Sequence, residues 1–243
     1  MKSKERLDVL PNGLYGVWQA DDVFCYTMDS VLLAEFVSLR NNARVLELGS
    51  GTGAISLMIK GRGAKQVVGL ELNPRLVELF TRSIEYNELQ EQVQCLHMDI
   101  KNISEVVRLG TFDLVVANPP YRKKTTGRMR KPESAAPACH ELTAELEDFI
   151  ALAPRILRTR GRLGMVNLPE RLTDTLELCR KYKLEPKRLQ FVHSNLEGPA
   201  RLFLLEATYN VQAGGLEILQ PLIVYNQNGE YTEQLKDIYR LMK

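Results

Sequence analysis

Asn118-Pro119-Pro120-Tyr121 closes the apolar run Phe112-Asp113-Leu114-Val115-Val116-Ala117, which reads as a short buried strand. Proline removes a backbone donor, fixes φ, and pushes the residue before it out of the helical region. Asn118 and Pro119 are therefore held extended, with their carbonyl oxygens in fixed directions beyond the strand end. Two fixed acceptors beside an aromatic ring suit a planar group bearing an NH2. Taken alone, the tetrapeptide equally suits a turn that only ends a strand.

A second cluster lies upstream. Val45-Leu46-Glu47-Leu48-Gly49-Ser50-Gly51-Thr52-Gly53 reads as a strand running into a glycine-rich turn and then a helix. The glycines permit a tight turn and let a ligand lie against bare backbone. The helix start that follows offers N–H groups to a carboxylate or phosphate. The spacing is GxGxG, where the dinucleotide fingerprint is GxGxxG, which argues against NAD or FAD.

Glu71 ends the next strand, about 20 residues after the glycines. A carboxylate there can accept from both ribose hydroxyls of a nucleoside, or serve as a charge favoured by the helix that starts at Pro74. Asp99 follows the third strand and suits either an adenine amino group or the cap of a turn at Ile103. Four successive strand ends thus carry acidic or Gly-rich features. With no Walker lysine present, the set outlines an adenosine-type ligand without phosphates.

The elements that must position these residues alternate. Strands are expected over Arg44–Leu48, Gln66–Leu70, Val93–His97, Phe112–Ala117 and Gly161–Asn167. Helices are expected over Thr52–Lys60, Pro74–Asn87, Ile103–Arg108, Leu142–Arg158 and Pro169–Lys183. Arg188–Val192 and Arg201–Thr208 are separated by too short a link for a crossover helix, so they should pair antiparallel. The fold class is therefore α/β: a Rossmann-like, mostly parallel doubly wound sheet with an antiparallel C-terminal hairpin. Residues 9–27 look like a β-hairpin or cover segment, and Asp29 suits the cap of a helix over Ser30–Leu39. Residues 1–40 would then cover the ligand site of a catalytic domain over 41–243.

Composition bounds the rest. The 243 residues suit one large α/β domain, and 44% hydrophobic content supplies a sizeable core. Net charge is only +2, so a basic surface must be local. Cys25, Cys95, Cys139 and Cys179 are scattered without a CxxC pair, and His97, His140 and His193 are isolated. This pattern predicts reduced, cytoplasmic thiols and no metal site. No leader and no membrane span are expected.

The motif Glu47-Leu48-Gly49-Ser50-Gly51-Thr52-Gly53, with Glu71, Asp99 and Asn118-Pro119-Pro120-Tyr121, resembles the class I S-adenosylmethionine-dependent amino-methyltransferases. Asn-Pro-Pro-Tyr is the signature of those that methylate a planar amide or aromatic amine. Within them the chain resembles the bacterial tRNA adenine-N6 methyltransferases that modify a valine tRNA beside its anticodon. Thr27-Met28-Asp29-Ser30, His140-Glu141, Gly161-Arg162-Leu163 and the closing hairpin extend the resemblance over nearly the whole chain.

The resemblance implies S-adenosyl-L-methionine as cofactor. Glu47, Gly49, Ser50, Gly51, Thr52 and Gly53 would face its methionine end, with Thr27 and Asp29 closing over. Glu71 and Leu72 would take the ribose, and Asp99 and Ile100 the adenine. Asn118, also beside the cofactor, would hold the target amine with Pro119 and Pro120, while Tyr121 stacks on the base.

Arg122, Lys123, Lys124, Arg128, Arg130 and Lys131 put six basic residues among the ten of 122–131. Such a run suits a solvated face, or a passing RNA backbone. A glutamine-N5 methyltransferase acting on a protein such as a release factor would present the same planar NH2. The basic segment and the mere forty or so residues before the first strand favour tRNA. A non-catalytic RNA-binding protein on the same fold is the remaining alternative, and a monomer or weak dimer is expected.

Overall fold

The computed structural model describes residues 3–11, 13–105, 110–120 and 144–240. A two-stranded antiparallel hairpin, β1 (Glu5–Val9) and β2 (Gly16–Ala20), leads into α1 (Met28–Phe36). The alternating body follows as β3 (Arg44–Leu48), α2 (Ala54–Gly61), β4 (Gln66–Glu71), α3 (Pro74–Tyr86), β5 (Val93–His97), a 3-10 turn (Ile100–Glu105) and β6 (Phe112–Ala117). It continues through α4 (Leu146–Ile156), β7 (Leu157–Asn167), α5 (Leu172–Lys181), β8 (Leu184–His193) and β9 (Ala200–Tyr209). Two short strands, β10 (Glu217–Ile218) and β11 (Leu222–Ile223), precede α6 (Glu233–Arg240).

The main sheet runs β10-β8-β9-β7-β6-β3-β4-β5, with β11 also pairing β8. β5, β4, β3, β6 and β7 are mutually parallel, and β9 is antiparallel to both β7 and β8. This is the doubly wound sheet with a reversed hairpin expected from the sequence. Both faces are covered, so the parallel strands are apolar nearly throughout. Val45, Val67, Leu114 and Val116 pack under α1, α2 and α3. Leu46, Leu48, Val68, Leu70 and Val115 pack on the opposite face under α4 and α5.

Several boundaries differ from expectation, each for a local reason. The hairpin begins at Glu5, ahead of the 9–27 segment, because alternating residues from Glu5 onward pair with β2. The N-cap of α1 is Thr27, and Asp29 lies inside the first turn. α2 starts only at Ala54, because Gly53 stands at φ 86°. The 3-10 turn starts ahead of Ile103 because Asp99 Oδ1 accepts from Lys101 N–H at 2.9 Å. Residues 106–109 and 142–143, where helical ends were expected, lie outside the described residues. α4 ends at Ile156, and β7 begins at once, pairing Leu157 with Phe112. An irregularity in that pairing, with Arg160 at φ 63°, separates this rung from the main ladder. The segment after Asn210, with β10, β11 and α6, had no counterpart in the sequence reading.

The hairpin is bound chiefly to α3. Gly16 N–H donates to Asn87 Oδ1 at 2.9 Å, and Asn87 Nδ2 returns a bond to the Gly16 carbonyl at 2.7 Å. Trp18 N–H donates to Ser83 Oγ at 2.9 Å. The Arg82 guanidinium lies 4.3 Å from the Trp18 ring centre, and Arg75 and Arg82 both pair with Glu5. Trp18 thus packs between the hairpin and α3.

Candidate active site

Strand register brings the chemistry together. Leu48 is level with Leu70 on one side and with Ala117 on the other, so Gly49, Glu71 and Asn118 leave their strands at one height. Glu71 is level with His97, which puts Met98 and Asp99 next along the edge.

The glycine turn is built by backbone. Gly49 and Ser50 N–H both donate to the Leu70 carbonyl at 2.9 Å. A Cβ on Gly53 would overlap the Phe80 ring, and its φ of 86° already disfavours a side chain. Gly51, at φ 56°, has nothing within 4 Å of where a Cβ would stand. One glycine therefore admits the core and the other opens onto empty space.

Glu71 is buried, and both of its oxygens are engaged by backbone. Oε2 accepts from Gly51 N–H at 2.8 Å and Oε1 from Asn73 N–H at 2.9 Å. Asn73 in turn caps α3, its Oδ1 accepting from Arg75 N–H at 2.9 Å ahead of Pro74. The sequence offered Glu71 as ligand or as helix-side charge; its carboxylate fastens the glycine turn to the start of α3. Each oxygen retains acceptor capacity for a further donor.

Glu47 is 1% exposed and lies beneath the turn. Ser56 Oγ donates to Glu47 Oε2, and burial, with the nearby charge of Glu71, pushes the carboxyl up to about 8. The Cys95 thiol close by is pushed up to about 12 by burial and then by the charges of Glu71 and Glu47. Ser50 is buried with its Oγ unpartnered, and Thr52 Oγ1 accepts from Gln19 Nε2 at 3.0 Å. Tyr26 N–H donates to Gln19 Oε1 at 3.3 Å, which ties the start of α1, with exposed Thr27 and with Asp29, to the glycine turn.

A narrow slot of about 20 Å³ opens at the edge, lined by Gly49, Leu70, Glu71, Leu72, Met98, Asp99, Ile100, Ala144 and Phe149. A larger cavity of about 270 Å³ lies between α1, β8 and the C-terminal segment and contains none of the strand-end residues. The slot is the candidate site, because chemistry from β3, β4 and the chain after β5 meets there. Its carboxylates and apolar walls match an adenosine-like group in chemistry, and Gly51 leaves open space over the turn. Asn118 is half-buried and Pro119 buried beside it, while Pro120 is exposed. Tyr121 and the basic residues Arg122, Lys123, Lys124, Arg128, Arg130 and Lys131 lie outside the described residues, as does His140.

Sequence reasoning missed Phe149, Met98 and Ala144 as slot residues. Met98 could have been found, since it stands between the strand end at His97 and Asp99. Phe149 sits on the fourth helix, where an apolar residue reads as core; only the fold brings it opposite Gly49. Among the described residues no group of three His, Cys, Asp or Glu side chains could hold a metal, and no helix is long and apolar enough to cross a membrane.

Comparison with known proteins identifies the family and the fold. The family model described as "Methyltransferase small domain" matches residues 15–177. A protein of Flavobacteriaceae bacterium named tRNA1(Val) (adenine(37)-N6)-methyltransferase is 26% identical over 198 residues, 81% of this chain and 82% of that protein. A protein of the same name from Mannheimia succiniciproducens is 29% identical over 85% of this chain and 82% of its own length. Among solved structures, a predicted O-methyltransferase from Agrobacterium tumefaciens superposes with a TM-score of 0.71 at 22% identity, covering 88% of this chain and 97% of that one. The protein aTrm5, solved with tRNALeu, superposes at 0.61 and 18% identity, covering 86% of this chain and 54% of that one. At these identities the structural likeness concerns the fold.

Proposed function

Since the chain belongs to the methyltransferase small-domain family, we propose that it transfers a methyl group from S-adenosyl-L-methionine to the exocyclic N6 amine of an adenine in tRNA, beside the anticodon of a valine tRNA. The observation that carries this reading is the shared height of Gly49, Glu71 and Asn118. It sets the slot lined by Glu71 and Asp99 near the strand end that carries Asn118 and Pro119. The names of the relatives support the choice of tRNA.

S-adenosylmethionine supplies an electrophilic methyl on a sulfonium. The residues of the chain bind and orient around it. Glu71 and Leu72 take the ribose end, Asp99 and Ile100 the adenine, and Phe149 and Met98 wall the slot. Glu47 and the turn Gly49–Gly53, with Ser50 and Thr52, face the methionine end, beside Thr27 and Asp29.

Asn118 Oδ1 and the Pro119 carbonyl accept the two N–H bonds of the target amine. In adenine that nitrogen's lone pair is delocalised into the ring. Gripping both N–H groups lets the nitrogen pyramidalise and present the lone pair. The same oxygens stabilise the positive charge that develops on nitrogen, so positioning and electrostatics supply the catalysis. The methylated nitrogen is acidic enough to release its proton to water without a dedicated base. Pro120 keeps the backbone rigid, Tyr121 stacks on the base, and the target leaves its stack at least cost in a loop. Arg122, Lys123, Lys124, Arg128, Arg130 and Lys131, next along the chain, contact the RNA backbone.

Incubation with labelled cofactor and either total tRNA or a release factor tests the substrate class. Label in tRNA, recovered as N6-methyladenosine, is expected; label confined to protein glutamine would overturn the assignment.

A further inference from the structure

Beyond the methyl-transfer site, a second aromatic feature lies on the same side of the sheet. β9 is antiparallel to both β7 and β8, so β8 runs in the direction of β6 and β7. The end of β8 at His193 therefore faces the side on which Asn118 leaves β6. The chain after β11 is fastened there by backbone: Val224 N–H donates to the His193 carbonyl at 2.9 Å and Tyr225 N–H to the Ser194 carbonyl at 2.8 Å. It then doubles back, pairing Tyr225 with Tyr231. Asn226 Oδ1 closes the turn, accepting from Asn228 N–H at 2.9 Å and Glu230 N–H at 3.0 Å.

The two tyrosine rings stack with centres 5.3 Å apart and planes 21° from parallel, and they remain 38% and 45% exposed. Tyr239 lies close behind. Burial comes first in pushing its hydroxyl up to about 12, followed by the proximity of Tyr231, Tyr26, Asp29 and Tyr225. Tyr239, Tyr26 and Met28 pack against one core cluster, and Tyr26 and Gln19 tie the start of α1 to the glycine turn. A cross-strand aromatic pair stabilises a hairpin by itself. Rings left open on the substrate side of the sheet, on a hairpin already fixed to the strand ends, have a further use. A flat partner can stack there without ordering the protein. The exposed charge beside the rings is Glu230, next to Tyr231 and bonded to Asn226 Nδ2, so this edge offers stacking rather than attraction for phosphate.

We propose that Tyr225 and Tyr231 form a stacking platform for an unpaired nucleobase of the same RNA loop that delivers the target base. Four strand spacings separate β6 from β11, on the order of 20 Å, so the platform receives a base a few nucleotides away from the target. It would hold the loop open while Asn118 takes the target amine. This inference rests on the adenine-N6 reading of the catalytic site.

The test measures tRNA affinity, KM and kcat for Tyr231→Leu, Tyr225→Leu and the ring-preserving Tyr231→Phe, with cofactor binding measured in parallel. Each Leu variant should lose about 5- to 100-fold in tRNA affinity, with KM raised to match, the range for removing one base stack. Its kcat at saturating tRNA, its cofactor affinity and its salt slope should stay near wild type, since no counterion is released by stacking. Tyr231→Phe should retain tRNA affinity. Should a Leu variant fold poorly, photo-crosslinking of wild-type protein to 5-iodouracil-substituted tRNA should label the peptide spanning 222–232. Wild-type tRNA affinity in both Leu variants, or crosslinks that avoid this peptide, overturns the platform alone. A wild-type protein that binds cofactor and methylates only a protein substrate overturns the platform and the adenine reading together.

Discussion

Glu71 Oε2 accepts a hydrogen bond from Gly51 N–H at 2.8 Å, so the carboxylate proposed to take the ribose also fixes the glycine turn. In Glu71→Gln the amide nitrogen must face one of the N–H donors of Gly51 or Asn73. A buried donor is then left unmatched, at about 1–3 kcal/mol. Calorimetry should show S-adenosylmethionine affinity falling by at least about tenfold in a folded variant. Unchanged affinity would detach Glu71 from the cofactor.

Gly53 and Gly51 should separate stability from binding. Gly53→Ala sets a methyl against Phe80 at a φ of 86°, so left-handed strain and overpacking should add to about 2–5 kcal/mol of lost stability. Gly51→Ala meets no atom, so it should cost only the backbone strain of about 1–2 kcal/mol. In the proposed site its methyl would stand in the ligand's path, and cofactor affinity should fall well beyond that of a stability control. Thermal melts and calorimetry on both variants decide this.

The Glu47 carboxyl carries a pH signature. Burial raises it from 4.5 to about 8, so the folded protein keeps a proton that the unfolded chain releases. That contribution is fully present below about pH 4.5 and is lost as pH rises through about 8. Glu47→Gln mimics the protonated form. It should melt close to wild type at about pH 5 and above wild type at about pH 9. Parallel melting curves for the two proteins across that range would contradict the buried, protonated assignment.

The basic segment has its own test. Replacing Arg128, Arg130 and Lys131 by neutral residues should weaken tRNA binding and lower the slope of log affinity against log salt by roughly 1 per lost phosphate contact. An unchanged slope would return that run to a solvated surface.

Much of this was legible because strand ends are marked by residue type. Gly49, Gly51, Gly53, Glu71, Asp99 and Asn118 each follow a short apolar run, and a parallel sheet must align such ends. What escaped depends on packing. Phe149 reaches the slot only because α4 crosses the sheet opposite Gly49, and nothing in its helical spacing separates it from Phe80, a core residue. Asp29 was read as a cap because its type favours that role, yet the extended backbone at Thr27 sets the helix start. In the chain beyond Asn210, Leu235, Ile238 and Tyr239 do recur at the spacing of a helix over α6, whereas β10 and β11 are two residues each and gain order from β8 rather than from their own pattern.

Single-turnover methylation of tRNA by wild type and Asn118→Ala, at saturating S-adenosylmethionine, tests the central claim most directly. The account predicts that the rate of N6-methyladenosine formation falls about 100- to 1000-fold, the scale for removing one preorganised polar partner. Cofactor affinity should stay within a few-fold of wild type. A variant that methylates at the wild-type rate, or that loses cofactor affinity as steeply as rate, would contradict a role for Asn118 in gripping the amine.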